Sequence, residues 1–339
     1  MDTRRVGLGL QGGGSHGAFT WGVLDALLAD GRLEIAALTG ASAGALNAVL
    51  LAAGYAEGGR EGARATLRAF WEQLGAAMPA GVAAAWGLPR AASTPAAERQ
   101  ALRGLMHLAH YFSPYELNPF DINPLRDILA ARIDFARLRR ARDIELWIAA
   151  TEVSSGALRL FGRSELTLEA LLASACLPTI HHSIEIDGRA YWDGGLSANP
   201  PLFPLFDARG VDDLVLVLLQ GPRPADPPVK AEEIANRVSE IAFGAALGAE
   251  LRALAWMQRQ ERSSFLGFGR IERRVARLRL HAIAAPDVMG PLDALSRANT
   301  HPSFIATLFA AGAARAEEWL AATSPEIGIR ATFDPFAPG

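Results

Sequence analysis

The chain has 339 residues, half of them hydrophobic and a fifth charged, which excludes disorder and allows one large core or two modest ones. A formal net charge of -3 leaves no electrostatic footprint for nucleic acid. Cys176 is the single cysteine, so no internal disulfide can form and a reducing, cytoplasmic setting is expected.

Val6–Leu10 is a short apolar run that ends in glycines and reads as a buried strand entering a tight loop. Gly7, Gly9 and Gly12 break this stretch too early for a signal-peptide core. Ala18–Leu28 has apolar residues at helical spacing and stops at Asp30-Gly31. A second apolar run, Ile35–Thr39, ends at Gly40, and a helix of small residues follows over Ala43–Gly54. Strand, loop, helix, strand, turn and helix in this order predict a parallel α/β sheet. Residues 60–142 read mostly as helix, with an aromatic stretch at Leu105–Phe120 that suits a lid or a packed wall.

Leu146–Ala150 and Ala157–Phe161 form one expected hairpin, and Ile184–Ile186 and Ala190–Trp192 form another across Asp187-Gly188. Leu166–Ala175 reads as a helix between them. Leu214–Leu219 is a fully apolar strand. Beyond it come a helix at about Ala231–Arg262, a strand at Arg277–Ile283 and a helix at Phe304–Ala322, which makes the C-terminal third more helical. The apolar stretch Ile241–Met257 contains Glu250 and Arg252 and is short for a bilayer, so it reads as a buried or interfacial helix.

Gly40-Ala41-Ser42-Ala43-Gly44 matches the nucleophile-elbow pattern G-x-S-x-G between a strand and a helix. A turn this sharp leaves no room for side chains two residues to either side of the serine. The helix N-terminus favours negative charge developing beside it. Gly12, Gly13 and Gly14 follow the first strand, where unhindered backbone N–H groups can converge as oxyanion donors. Both loops open at the carboxyl ends of parallel strands, the edge where ligands bind.

The Gly12–Gly17 loop also satisfies G-x-G-x-x-G, so a non-catalytic or dinucleotide-binding module is the alternative reading. The acidic residue that should close the second strand is missing, since that strand ends Leu38-Thr39-Gly40. Ser42 lies too early for the Ser-Asp-His order of α/β-hydrolases. No histidine stands in a triad motif, although His281 and His301 follow an acid in sequence. Asp193 ends a short apolar strand just before Gly194 and Gly195, which leave space beside its carboxylate.

Taken in order, Gly-Gly-Gly-x-x-Gly, Gly-x-Ser-x-Gly and Asp-Gly-Gly resemble the patatin-like phospholipase family over about residues 6–205. Lesser matches are Ala149-Ala150-Thr151, Ser174, Pro178 and Asn199-Pro200. The resemblance implies a three-layer α/β/α fold with a mainly parallel central sheet. It implies that Ser42 attacks an acyl carbonyl, Asp193 takes the proton and an acyl-serine forms, with no metal or other cofactor. Gly12, Gly13 and Gly14 would bind the oxyanion, Gly40 and Gly44 shape the elbow, and Gly17, Gly194 and Gly195 support it. The expected partner is a lipid or acyl-ester substrate met through transient contact with a membrane surface. Many family members carry Arg or Lys where this chain has His16, a departure that weakens the case for phosphorylated head groups. Residues 206–339 carry no matching motif and are expected to pack as an extension on the core of residues 1–205.

Overall fold

The computed structural model describes residues 4–85, 103–104, 108, 111–221, 226–263 and 269–336. Its centre is one eight-stranded sheet: β1 (Arg4–Leu10), β2 (Leu33–Gly40), β3 (Glu145–Glu152), β4 (Leu158–Gly162), β5 (Ile184–Ile186), β6 (Arg189–Asp193), β7 (Asp213–Leu218) and β8 (Arg279–Ala284). The strands lie in the order β5-β6-β3-β2-β1-β7-β8, with β4 also paired to β3. β3, β2, β1, β7 and β8 run parallel to one another, while β4 and β6 pair antiparallel with β3, and β5 antiparallel with β6. The sheet is therefore mainly parallel, and both expected hairpins are present.

Alternation along the strands explains the apolar runs. Val6, Leu8, Leu10, Val215 and Val217 enter one core, whereas Leu214 and Leu216 enter the other. A sheet covered on both faces needs apolar residues on both sides of each strand. On the first face lie α1 (Gly17–Asp30), α2 (Ala43–Ala85), α3 (Pro124–Arg132), α4 (Phe135–Arg140) and α5 (Leu168–Ser174). On the second lie α6 (Ala231–Ser263) and α7 (Arg270–Arg277), whereas α8 (Pro302–Thr323) returns to the first face. This is the three-layer α/β/α architecture expected from the sequence.

Helix ends follow their capping chemistry. α1 stops at Gly31, whose φ of 79° is readily reached without a Cβ. α3, α4 and α5 begin at Asn123, Asp134 and Thr167, each accepting a backbone N–H of the first turn. α2 is two helices joined across a kink: the first runs only a few residues past the expected end at Gly54 and is broken at Gly58 and Gly59, whose φ of -150° and 60° are not helical.

α6 has a mixed environment. Leu247, Leu251 and Leu254 are buried, while Ile234, Val238, Ile241 and Trp256 are exposed. Among the described residues no helix is long and apolar enough to cross a membrane. Part of the Leu105–Phe120 stretch, residues 105–107 and 109–110, lies outside the described residues. In the rest, Tyr111, Phe112 and Phe120 are exposed, and Tyr115 stacks on His182 with ring centroids 4.0 Å apart.

Candidate active site

Ser42 sits between β2 and α2 with φ of 54°, a left-handed conformation that is costly for any residue with a Cβ. Two contacts hold it there: its N–H donates to the Ser174 carbonyl at 3.0 Å and to Ser174 Oγ at 3.2 Å. The turn needs its flanking glycines. A Cβ on Gly40 would lie 2.5 Å from the Gly44 carbonyl carbon, and one on Gly44 would overlap the Leu10 carbonyl. Ser42 immediately precedes α2, so the positive end of that helix lies beside its side chain.

The glycine loop closes one side of the serine. A Cβ on Gly12 would stand 2.7 Å from Ser42 Cβ and 2.6 Å from the Ala41 carbonyl oxygen. The Gly12 N–H is already committed, donating to Asn199 Oδ1 at 2.6 Å. Neither Gly13 nor Gly14 has a protein acceptor for its N–H among the described residues. Of the three glycines expected as oxyanion donors, Gly12 is thus tied back by Asn199, whereas the N–H groups of Gly13 and Gly14 are not engaged by these bonds. Gly17 lets α1 approach α2, since a Cβ there would lie 2.8 Å from Ala43 Cβ. Asn47 secures the same crossing by donating to the Gly17 carbonyl at 3.0 Å and accepting from Trp71 Nε1 at 3.0 Å.

Asp193 ends β6 and is fully buried. Its backbone is pinned on both sides. Its N–H donates to the Cys176 carbonyl at 2.8 Å, and its own carbonyl accepts Thr151 Oγ1–H at 2.8 Å. Oδ1 accepts the Gly195 N–H at 2.7 Å. Burial raises the carboxyl pKa from 3.8 to about 6, against opposing pulls from the Ser42 side chain and the Gly195 N–H. Oδ2 is buried without a hydrogen-bond partner, and the Ser42 side chain is near enough to act on the carboxyl. The fold brings Ser42 and Asp193 together from segments far apart in sequence. Gly194 is needed where the chain passes β3, because a Cβ there would overlap the Ala149 carbonyl oxygen.

Other residues near this centre gave little or no local signal. The Phe243 ring of α6 covers Gly195, 2.8 Å from where a Cβ would stand. Glu250 of the same helix accepts the Leu202 and Phe203 N–H groups at 2.8 and 2.9 Å, fixing the segment after Asn199. The two histidines weighed in the sequence are engaged elsewhere. His281 meets Asp213 at 3.0 Å and Thr332 at 2.8 Å, and His301 caps α8. His16 is buried against Ser296 Oγ at 2.7 Å, and its pKa is lowered to about 4, by burial first and by the Arg297 charge second. Among the described residues no three His, Cys, Asp or Glu side chains converge as a metal site would require.

No curated protein matches the chain. Among solved structures, VipD from Legionella pneumophila is 15% identical with a TM-score of 0.44, and the alignment covers 93% of this chain and 66% of that one. The ExoU-SpcU complex from the type III secretion system of Pseudomonas aeruginosa is 16% identical with a TM-score of 0.32, covering 96% and 78%. Likenesses this distant say nothing about substrate or partner. A family model described as patatin-like phospholipase matches residues 8–206, the stretch that carries the glycine loop, the serine elbow and Asp193. That match spans more than half of the chain, which therefore belongs to the patatin-like phospholipase family of hydrolases.

Proposed function

We propose that the chain hydrolyses acyl esters of lipids in two acyl-transfer steps, as a phospholipase A- or lysophospholipase-like enzyme. Ser42 Oγ attacks the ester carbonyl and its proton passes to Asp193. The N–H groups of Gly13 and Gly14 stabilise the oxyanion. The carbon–oxygen bond to the alcohol then breaks, and the alcohol leaves with the proton from Asp193. Water attacks the acyl-serine, again losing its proton to Asp193, and the acid departs as Ser42 recovers its hydrogen.

One observation carries this reading: a serine in a left-handed turn lies against a wholly buried carboxylate whose pKa is raised to about 6. An ordinary aspartate is a poor base, whereas one near 6 stays ionised at neutral pH and accepts a proton more readily. The dinucleotide alternative has less support, because Asn199 takes the Gly12 N–H and the Arg297 carbonyl packs on Gly14. A lipid surface fits the exposed Leu196 and Phe203 beside the site and Val238 and Ile241 on α6.

A fluorophosphonate probe is expected to label Ser42, as seen by peptide mass mapping, and to abolish cleavage of p-nitrophenyl butyrate in step with labelling. Labelling elsewhere, or labelling with full activity retained, would reject Ser42 as the nucleophile. Asn199→Ala is expected to lower kcat/KM on the same ester about 10-fold, because the Gly12 N–H loses its acceptor and the loop its anchor. An unchanged kcat/KM would show that the loop holds its shape without Asn199.

A further inference from the structure

The C-terminal third places a cation beside the glycine loop. Arg297 lies in a short 3-10 segment, Ala294–Ala298, capped by Asp293, which accepts the Ser296 N–H at 2.8 Å. This segment packs directly on the loop. A Cβ on Gly14 would overlap the Arg297 carbonyl oxygen and stand 3.3 Å from Arg297 Cβ. The neighbouring Ser296 meets His16 at 2.7 Å, so His16 is spent on fastening the segment. With its pKa lowered to about 4 by burial and by Arg297, His16 is uncharged at neutral pH. The glycine loop itself therefore contributes no cation.

The Arg297 guanidinium makes no ion pair or hydrogen bond among the described residues, although the side chain is partly buried. Glu240 of α6 reaches it electrostatically, yet that carboxylate is paired with Arg237 at 3.1 Å. Glu240 lies one turn before Phe243, the residue that covers Gly195. The backbone and Cβ of Arg297 thus lie on the glycine loop that borders Ser42, and its guanidinium is within electrostatic reach of α6, whose Phe243 covers the glycine beyond Asp193. A partly desolvated charge without a counter-ion is costly, and arginine does not escape the cost by losing its proton. Its planar fork suits the oxygens of a phosphate.

We propose that Arg297 forms an anion subsite that takes the phosphate group of an acyl ester whose carbonyl lies at Ser42. The proposal deepens the hydrolase reading and rests on it for the position of the acyl chain. It assigns to residues after 206 the head-group choice that the loop does not make.

The test separates the two readings by measuring binding without turnover. In the Ser42→Ala background, calorimetry is expected to detect glycerol 3-phosphate and not glycerol. Arg297→Gln is expected to weaken that binding at least about 10-fold, the loss typical of a charge-assisted contact. Arg297→Lys, which keeps the charge, should retain most of it. In the active chain, the ratio of kcat/KM for 1-acylglycerol 3-phosphate to that for 1-acylglycerol should fall by a similar factor in Arg297→Gln. The proposal fails if glycerol 3-phosphate does not bind, if Arg297→Gln binds it equally, or if the ratio does not move. It also fails if Arg297→Lys loses as much as Arg297→Gln, since packing rather than charge would then be responsible. If no ester is cleaved but the phosphate binds through Arg297, the hydrolase reading falls and the subsite stands.

Discussion

Ser42→Ala and Asp193→Asn are each expected to cut kcat/KM for p-nitrophenyl butyrate by at least about 10³-fold, with the double variant scarcely worse than either. Removing the nucleophile removes the covalent route, and a positioned general base alone contributes about 10² to 10⁴. The two act as one unit, so their losses should not add. Asp193 must be ionised to accept a proton, and its pKa is raised to about 6. The pH profile of kcat/KM in the wild type should therefore rise through an acid limb with an apparent pKa near 6. That limb should be missing from the residual activity of Asp193→Asn. A limb near 4 would mean that burial does not raise Asp193, and a limb that survives unchanged in Asp193→Asn would mean that Asp193 is not the base.

The same residue should reveal itself in stability. A carboxyl whose pKa is raised on folding keeps its proton between about 4 and 6 in the folded chain but loses it in the unfolded chain. The unfolded state then binds fewer protons, so Asp193 costs stability as the pH rises through this window, and the cost is complete above about 6. The rise from 3.8 to about 6 corresponds to about 2 to 3 kcal/mol. Asp193→Asn removes the buried charge and keeps an oxygen for the Gly195 N–H. It is therefore expected to melt higher than the wild type at pH 8, and the difference should shrink by pH 5.

The positions that could be read from sequence are those where sterics demand one residue type. Gly40 and Gly44 are fixed by backbone approach at the elbow, Gly12 by its contact with Ser42, and Gly194 by its contact with β3. Such demands leave a local pattern, and so does the Asp187-Gly188 turn that sets up β6. Phe243 and Arg297 leave none. Each reaches the centre only because α6 and the Ala294–Ala298 segment fold back onto loops far earlier in the chain. The commitment of the Gly12 N–H to Asn199 was hidden for the same reason, since nothing local tells which of three adjacent glycines a distant amide will take. The paired glycines Gly58 and Gly59 do interrupt α2, and the helix after them buries Ala63, Leu67, Phe70 and Trp71.

Gly22→Ala and Gly312→Ala are each expected to destabilise the fold by about 3 kcal/mol or more, far beyond the effect of an ordinary surface change. α1 and α8 cross there with their backbones touching. A Cβ on Gly22 would overlap the Phe309 carbonyl oxygen and lie 2.8 Å from the Ala313 nitrogen. One on Gly312 would overlap the Phe19 carbonyl oxygen and lie 2.9 Å from the Phe19 carbonyl carbon. No rotamer relieves a clash between a Cβ and main chain, so the helices must part. Parting them loosens Trp21, whose ring packs on Phe309 at 4.1 Å between centroids. A typical domain has only about 5 to 15 kcal/mol to lose. Gly248→Ala in α6 is the matched control, for its Cβ would meet only the far end of the Arg252 side chain at 3.3 Å. There the better helix propensity of alanine should raise stability, by up to about 1 kcal/mol. Because both crossing glycines report on one contact, the double variant should lose less than the sum of the two. Chemical denaturation of the four variants tests this. Equal stability of Gly22→Ala and Gly248→Ala would mean that the helices do not approach as closely as the crossing requires.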